Sequence, residues 1–153
     1  MPVPNIETVE TTPLHLRMMS EAMESASAET AVKMGLTPLK ALWSSYRQSI
    51  ICKSAFIDGK LAAIWGVSGS MFGDTGRVWL VLTPETQQYP FRVAFRYRKE
   101  INKMLDMFSI LEEYVPADNQ KSIRLLELMG FKVSKNKLTL GESEFYRAER
   151  RAS

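Results

Sequence analysis

The 153-residue chain holds one cysteine, Cys52, and one histidine, His15. A single cysteine excludes an intramolecular disulfide and agrees with a reducing compartment. A single histidine leaves too few partners for a histidine-based triad or metal cluster. Long apolar runs are lacking too: the longest, Leu61 to Val67, falls far short of the roughly 18–20 residues that cross a bilayer, so no membrane span is expected. The opening residues, MPVPNIETVE, have no basic segment followed by an apolar stretch, so no secretory signal is expected and the protein should act where it is made. Nor does one sign of charge dominate. Twenty Lys and Arg against 17 Asp and Glu leave +3, too small a total to mark a nucleic-acid binder without a directed distribution. Repeats, low-complexity tracts and linkers are absent, which points to one domain over 1–153.

What is present suits a folded domain: 45% hydrophobic and 24% charged residues, with enough chain to bury a core without metal or disulfide staples. Thr12-Pro13-Leu14 and Thr37-Pro38-Leu39 repeat one helix-start signal, a capping threonine followed by a proline that loses no hydrogen bond in the first turn. Leu16, Met19, Met23 and Ala26 follow at helical spacing in the first case, and Leu39, Leu42, Trp43 and Tyr46 in the second. Ser27 to Thr30 reads as a fraying end, and Gly35 as part of a short connection. Ile51 to Ile57 and Leu61 to Val67 flank Asp58-Gly59-Lys60, a β-hairpin signal. Gly66, Gly69, Gly73 and Gly76 follow, read as a flexible loop joining two strands and not as a phosphate loop. Arg77 to Thr83 then carries Val78-Trp79-Leu80-Val81-Leu82, a run suited to a strand covered on both faces.

After Pro84 and Pro90, Ala94, Tyr97, Ile101, Met104, Leu105 and Phe108 form one apolar helical stripe. The helix also carries Arg92, Arg96, Lys99 and Lys103 at spacings of four, three and four, with Arg98 beside them and Phe91 and Phe95 interleaved. This is either a solvated face or a directed positive surface for an acidic partner, whether DNA phosphates or an acidic protein. A strand around Ser109 to Val115, a cap at Asp118, a helix through Ile123, Leu126 and Met129 ended by Gly130, and two strands, Phe131 to Leu138 and Ser143 to Ala148, complete the chain. The order is strand, helix, helix, three strands, helix, strand, helix, two strands: one mixed α/β layer domain. His15 reads as a helix-surface or partly packed imidazole, and Cys52 as a small buried apolar side chain.

The order of elements, with Asn119-Gln120-Lys121-Ser122-Ile123-Arg124-Leu125-Leu126-Glu127-Leu128-Met129-Gly130-Phe131, resembles the GNAT acyltransferase fold and its late N-x-x-[SA]-x-x-[LW]-x-x-x-x-G-F helix. Ile57-Asp58-Gly59, Trp65-Gly66-Val67, Val78-Trp79-Leu80 through Thr83, the basic helix and Tyr114-Val115-Pro116-Ala117-Asp118-Asn119 together are similar to the T7-type internal virion protein A family of tailed phages, over roughly Leu36 to Arg147. The resemblance implies a GNAT-like domain with a mixed, mostly antiparallel central sheet flanked by about four helices. It also implies a role in phage particle assembly or genome delivery, in the virion and in the host cytoplasm during assembly. The expected partners are other virion proteins of the head-tail or internal components, with a possible contact to packaged DNA and several copies per particle.

Catalysis is not implied with the fold. An acyl-CoA-dependent transferase of this type needs a glycine-containing loop whose amides cradle a pyrophosphate, and Thr83-Pro84-Glu85-Thr86-Gln87-Gln88-Tyr89-Pro90-Phe91 has no glycine, two prolines and an opposing carboxylate. The tyrosine such enzymes often place four residues before the helix-ending glycine is Leu126 here, and Arg77 to Leu82 has no glutamate base. Tyr114 or Glu113 would have to substitute, yet Glu112 and Glu113 are strand neighbours and point to opposite faces. The leading expectation is therefore a non-catalytic virion protein without cofactor or metal, binding through the Arg92, Arg96, Lys99 and Lys103 face and a C-terminal basic segment at Arg147, Arg150 and Arg151. The alternatives are an acyl-CoA-dependent N-acetyltransferase, with Arg92, Arg96, Asn119 and Ser122 holding acetyl-CoA, and a host-directed phage effector.

Overall fold

Asp58 and Gly59 both take positive φ, +50° and +83°, which is what a two-residue turn needs to match the right-handed twist of the strands it joins. It links β2 (Ser49–Ile57) to β3 (Lys60–Ser68) in the expected hairpin, with Lys60 opposite Ile57 as the first residue of β3 and not part of the turn. The computed structural model describes residues 5–23, 38–69 and 73–152. Ala26, the fraying end at Ser27 to Thr30, the connection at Gly35 and the Thr37 cap lie outside them.

The described elements run β1 (Ile6–Glu10), α1 (Pro13–Ala22), α2 (Pro38–Gln48), β2, β3, β4 (Thr75–Leu82), a 3₁₀ turn (Thr86–Gln88), α3 (Pro90–Leu105), β5 (Ile110–Pro116), α4 (Gln120–Leu128), β6 (Lys132–Leu140) and β7 (Ser143–Arg151). The sheet order is β1-β2-β3-β4-β5-β7-β6, antiparallel at every junction except the parallel pair β4–β5. Helices cover both faces. Val78 and Leu82 of β4 pack with Ala94, Tyr97, Ile101 and Met104 of α3 and with Leu126 of α4, with Leu80 packed against the same cluster. Val81 packs on the other face with Leu16 and Met19 of α1 and Leu42 of α2, with Trp79 against it. The continuous apolar run of β4 is therefore explained by burial from two sides.

Three sequence expectations change. Gly66 and Gly76 are buried inside strands, not in a flexible loop. A Cβ on Gly66 would lie 2.7 Å from Trp79 Nε1 and 2.8 Å from the Ile51 carbonyl oxygen, so the glycine is there for space. The cap of α4 is Asn119 and not Asp118: its Oδ1 accepts from the Ser122 amide at 3.1 Å. Trp43 turns outward from α2 at 37% exposure, edge-on to Tyr46, because Leu42 fills the inward position.

His15 proves to be part of a cap. Thr12 Oγ1 accepts from the His15 amide, and His15 Nδ1 accepts from the Thr12 amide at 3.2 Å and sits 3.0 Å from Ser54 Oγ. That ring nitrogen must be unprotonated to accept, and burial lowers the imidazole pKa from its ordinary value. The unfolded chain then binds the proton more readily, so α1 loses stability as pH falls below about 6.5. In His15→Gln, which keeps a capping-box acceptor but cannot titrate, the fall in melting temperature between pH 7 and pH 5 should be smaller than in the parent.

Candidate functional site

β4 and β5 pair at Thr75–Ile110, Gly76–Leu111 and Arg77–Glu112, and then part. Beyond that point β5 stays paired to β7 through Pro116–Phe145, and β4 to β3 through Leu82–Ala63, so each strand keeps one neighbour and loses the other. Exposed backbone groups in such a gap need other partners. One is supplied by α3: the Tyr97 hydroxyl donates to the Trp79 carbonyl oxygen at 3.3 Å. The gap opens a cleft of about 340 Å³ whose walls are Arg77 to Val81 of β4 and Glu113 to Pro116 of β5, with Ser44, Ser45 and Gln48 of α2 on one side and Ser122 of α4 on the other. A second hollow of about 380 Å³, lined by Ala117, Asp118, Lys137, Ser143 and Glu144, is a surface groove whose Lys137 and Glu144 pair at 3.3 Å.

Glu112 and Glu113 do fall on opposite faces. Glu112 is held by Arg147 at 2.9 Å and Arg77 at 3.6 Å. Glu113 makes no hydrogen bond or ion pair among the described residues, and burial pushes its carboxyl up to about 8. A carboxyl in that state is largely protonated at neutral pH and acts as a donor or as a base of near-neutral strength. Burial, and after it the negative form of Glu113, pushes the Tyr97 hydroxyl well above its usual range. Trp65, edge-on to Tyr97 with ring centres 5.9 Å apart, leaves a buried Nε1 donor without a partner among the described residues. Tyr114 carries the Arg77 guanidinium 5.0 Å from its ring centre at the cleft mouth. Sequence reasoning named Glu113 only as a substitute base and Tyr97 only as core. The available signal was a carboxylate set between apolar residues on β5, and a buried tyrosine hydroxyl that needs a bond.

The loop from β4 to α3 closes on itself. Thr83 N donates to Ala62 O, Thr86 N to Thr83 Oγ1, Gln88 N to Glu85 O and Tyr89 N to Thr86 O, while Pro84 and Pro90 have no amide hydrogen. A 3.0 Å bond from Val93 N to Tyr89 O then starts the helix. No residue of this loop has the positive φ that forms an anion-binding nest. The Thr86, Gln88 and Tyr89 amides are thus spent within the turn and that of Thr83 on β3, the Phe91 and Arg92 amides of the first helical turn stay available, and Glu85 is exposed beside them. Leu126 is buried in the core at 4% exposure, where it has no proton to give. The loop therefore offers a coenzyme A diphosphate few convergent amides, no glycine and an opposing carboxylate.

Of the other anticipated residues, Arg92, Arg96, Lys99 and Lys103 all lie on the exposed face of α3. Arg92 stacks over Tyr89, Lys99 over Phe95, and Lys103 pairs with Glu100. Asn119 spends its Oδ1 as the cap of α4; Ser122 does reach the cleft. The C-terminal basic segment is not a free surface. Arg147 is tied to Glu112 and Glu149, Arg151 to Glu149, and Arg150 to the Met129 carbonyl and Asn102, because this stretch is strand β7 and its cations face neighbours. Cys52 is buried, and burial raises its thiol pKa, so the inert reading stands. Among the described residues no group of His, Cys, Asp and Glu is placed to hold a metal, and no helix is long and apolar enough to cross a membrane.

No family model matches the sequence, and no curated protein is similar to it in sequence. Solved structures are similar in fold. A GNAT-family acetyltransferase from Streptococcus pneumoniae is 15% identical with a TM-score of 0.67, covering 97% of this chain and 100% of that one. A putative acetyltransferase from Acinetobacter baylyi is 13% identical with a TM-score of 0.73, covering 99% and 95%. The aminoglycoside acetyltransferase AAC(6')-Ib, solved with ribostamycin and coenzyme A, is 13% identical with a TM-score of 0.72, covering 95% and 93%. The single α/β domain, its seven-stranded, mostly antiparallel sheet and four described helices are those of the GNAT fold.

Proposed function

We propose that this GNAT-fold chain is a non-catalytic binding protein, a virion-associated component of a tailed phage that contacts other virion proteins in the particle or during its assembly in the host cytoplasm. The observation that carries the non-catalytic part is the β4–α3 loop, where the Thr86, Gln88 and Tyr89 amides are bonded within the turn, that of Thr83 is bonded to β3, and Pro84 and Pro90 have none. An anion site at a helix start works through free, convergent amides, and here few remain. The missing tyrosine at Leu126 removes a second element of the same chemistry. The placement in a phage particle rests on the ordered resemblance from Ile57-Asp58-Gly59 to Asn119, and on no feature of the cleft.

A second reading, an acyl-CoA-dependent N-acyltransferase with an atypical loop, is favoured by the intact cleft, by Glu113 inside it, and by the coenzyme A found with the AAC(6')-Ib structure of the same fold. Titration calorimetry with acetyl-CoA separates the two. The proposal expects no saturable heat at 1 mM ligand; saturable binding that is lost in Arg92→Ala/Arg96→Ala would overturn it in favour of the transferase. Mass spectrometry of purified particles and assembly intermediates tests the virion role. Finding the chain in neither would turn the reading toward a host-directed effector.

A further inference from the structure

The outward face of α3 holds two rows that the fold does not use. Phe91 and Phe95 are 71% and 69% exposed, and Tyr89, just before the helix, is 50% exposed. On the adjoining strip lie Arg92, Arg96, Lys99 and Lys103. Glu100, the acidic residue of this helix, pairs with Lys103, which leaves Arg92, Arg96 and Lys99 as the cations of the row with no carboxylate partner among the described residues. Exposed rings of this size are depleted from ordinary surfaces, and two of them on one helix together with four cations ask for a partner. A merely solvated face explains the cations and leaves the rings unexplained.

We propose that this face binds single-stranded nucleic acid, with phosphates along the cation row and bases stacked on Tyr89, Phe91 and Phe95. Two arguments favour this occupant over a duplex or an acidic polypeptide. A duplex offers phosphates but keeps its bases stacked, so it gives the rings nothing to hold. Phe91 and Phe95, four residues apart, are separated by about 6 Å along the helix axis, close to the roughly 7 Å that one base needs when sandwiched between two stacking partners at about 3.4 Å each. The cation row from residue 92 to 103 spans about 17 Å, enough for several phosphates. The rings already carry cations, Arg92 over Tyr89 and Lys99 over Phe95, which places charge beside each stacking surface. Arg92 and Arg96 are common to this face and to the transferase reading, but the face lies outside the cleft lining and Phe91→Ala/Phe95→Ala moves the nucleic-acid readout alone, so the two results are read separately.

Fluorescence anisotropy with labelled dT20 and rU20 on the full chain tests it. Binding of either at 50 mM salt is expected, the tighter one identifying DNA or RNA as the source. With three phosphates neutralised by Arg92, Arg96 and Lys99, affinity should fall about twenty-fold between 50 and 200 mM salt. Phe91→Ala/Phe95→Ala should weaken binding at least tenfold, and Arg92→Ala/Arg96→Ala should flatten the salt dependence, with melting temperatures unchanged because all four side chains are exposed. Three results would overturn the inference: no binding of either oligomer at 50 mM salt, binding undiminished in the phenylalanine double variant, or equal affinity for a 20-base-pair duplex or poly-glutamate.

Discussion

Gly66→Val is expected to destabilise the domain by about 2–4 kcal/mol and to lower its urea midpoint accordingly. Even the first added carbon would lie 2.7 Å from Trp79 Nε1, 2.8 Å from Ser49 Oγ and 2.8 Å from the Ile51 carbonyl oxygen. Two of those atoms form a hydrogen bond with each other at 2.8 Å, Trp79 donating to Ser49. The third belongs to the backbone of β2 and has little room to move. Overpacking of this kind costs about 1–3 kcal/mol, and the half-buried indole donor, once displaced from its acceptor, adds about 1 kcal/mol more. Against a typical total of about 5–15 kcal/mol the loss is large. Gly59→Ala is the contrast. Nothing lies within 4 Å of its Cβ, but its φ of +83° gives a strain of about 1 kcal/mol. Equal losses in the two variants would mean that β2 and β3 are not packed as described.

Glu113→Gln is expected to reverse a pH trend. The Glu113 carboxyl titrates near 8 in the folded chain, against 4.5 for its ordinary value, and the cause is burial in the β4–β5 cleft. Between those two pH values the folded state binds the extra proton, so stability falls as pH rises from about 5 and levels off above about 8. Each pH unit of that window is worth about 1.4 kcal/mol, giving a loss on the order of 3–5 kcal/mol by pH 8.5. Glutamine keeps the shape and a donor but cannot ionise. Glu113→Gln should therefore match the parent near pH 5 and exceed it by several kcal/mol at pH 8.5, read from urea midpoints at the two pH values. A parent whose stability is the same at both, once the opposite and smaller His15 contribution is subtracted with His15→Gln, would show that Glu113 is solvated. The same buried carboxyl is the strongest feature that the second, transferase reading has, and its cost in stability is the kind that functional sites carry.

The element order was legible because each element announces itself locally. Asp58-Gly59 between two alternating apolar runs specifies a hairpin, Thr12-Pro13 a helix start, and Gly130, with φ of +90°, a helix end. The lack of a phosphate loop was legible for the same reason: Pro84 and Pro90 have no amide hydrogen in any conformation. Where a residue's meaning depended on distant neighbours, local reading failed. Gly66 and Gly76 looked like loop glycines because glycine favours loops, and only their contacts with Trp79 and Phe108 show that they make room in a sheet. Arg147 and Arg150 looked free because acceptors of theirs, Glu112, the Met129 carbonyl and Asn102, are 21 to 48 residues away.

The amino-acid sequence by itself determined which segments are strands and helices, that α3 is apolar on one side and cationic on the other, and that a glycine-lined diphosphate loop is missing. These follow from backbone permissions and side-chain periodicity, which act over a few residues. Only the tertiary structure decided that β4 and β5 part after Arg77–Glu112, that Glu113 in the gap has no hydrogen-bond or ion-pair partner among the described residues, that the Thr86, Gln88 and Tyr89 amides bond within their own turn, and that Phe91 and Phe95 face solvent. Those outcomes depend on which groups meet across the fold and on how much water each one loses, and neither quantity is written in any short stretch of chain.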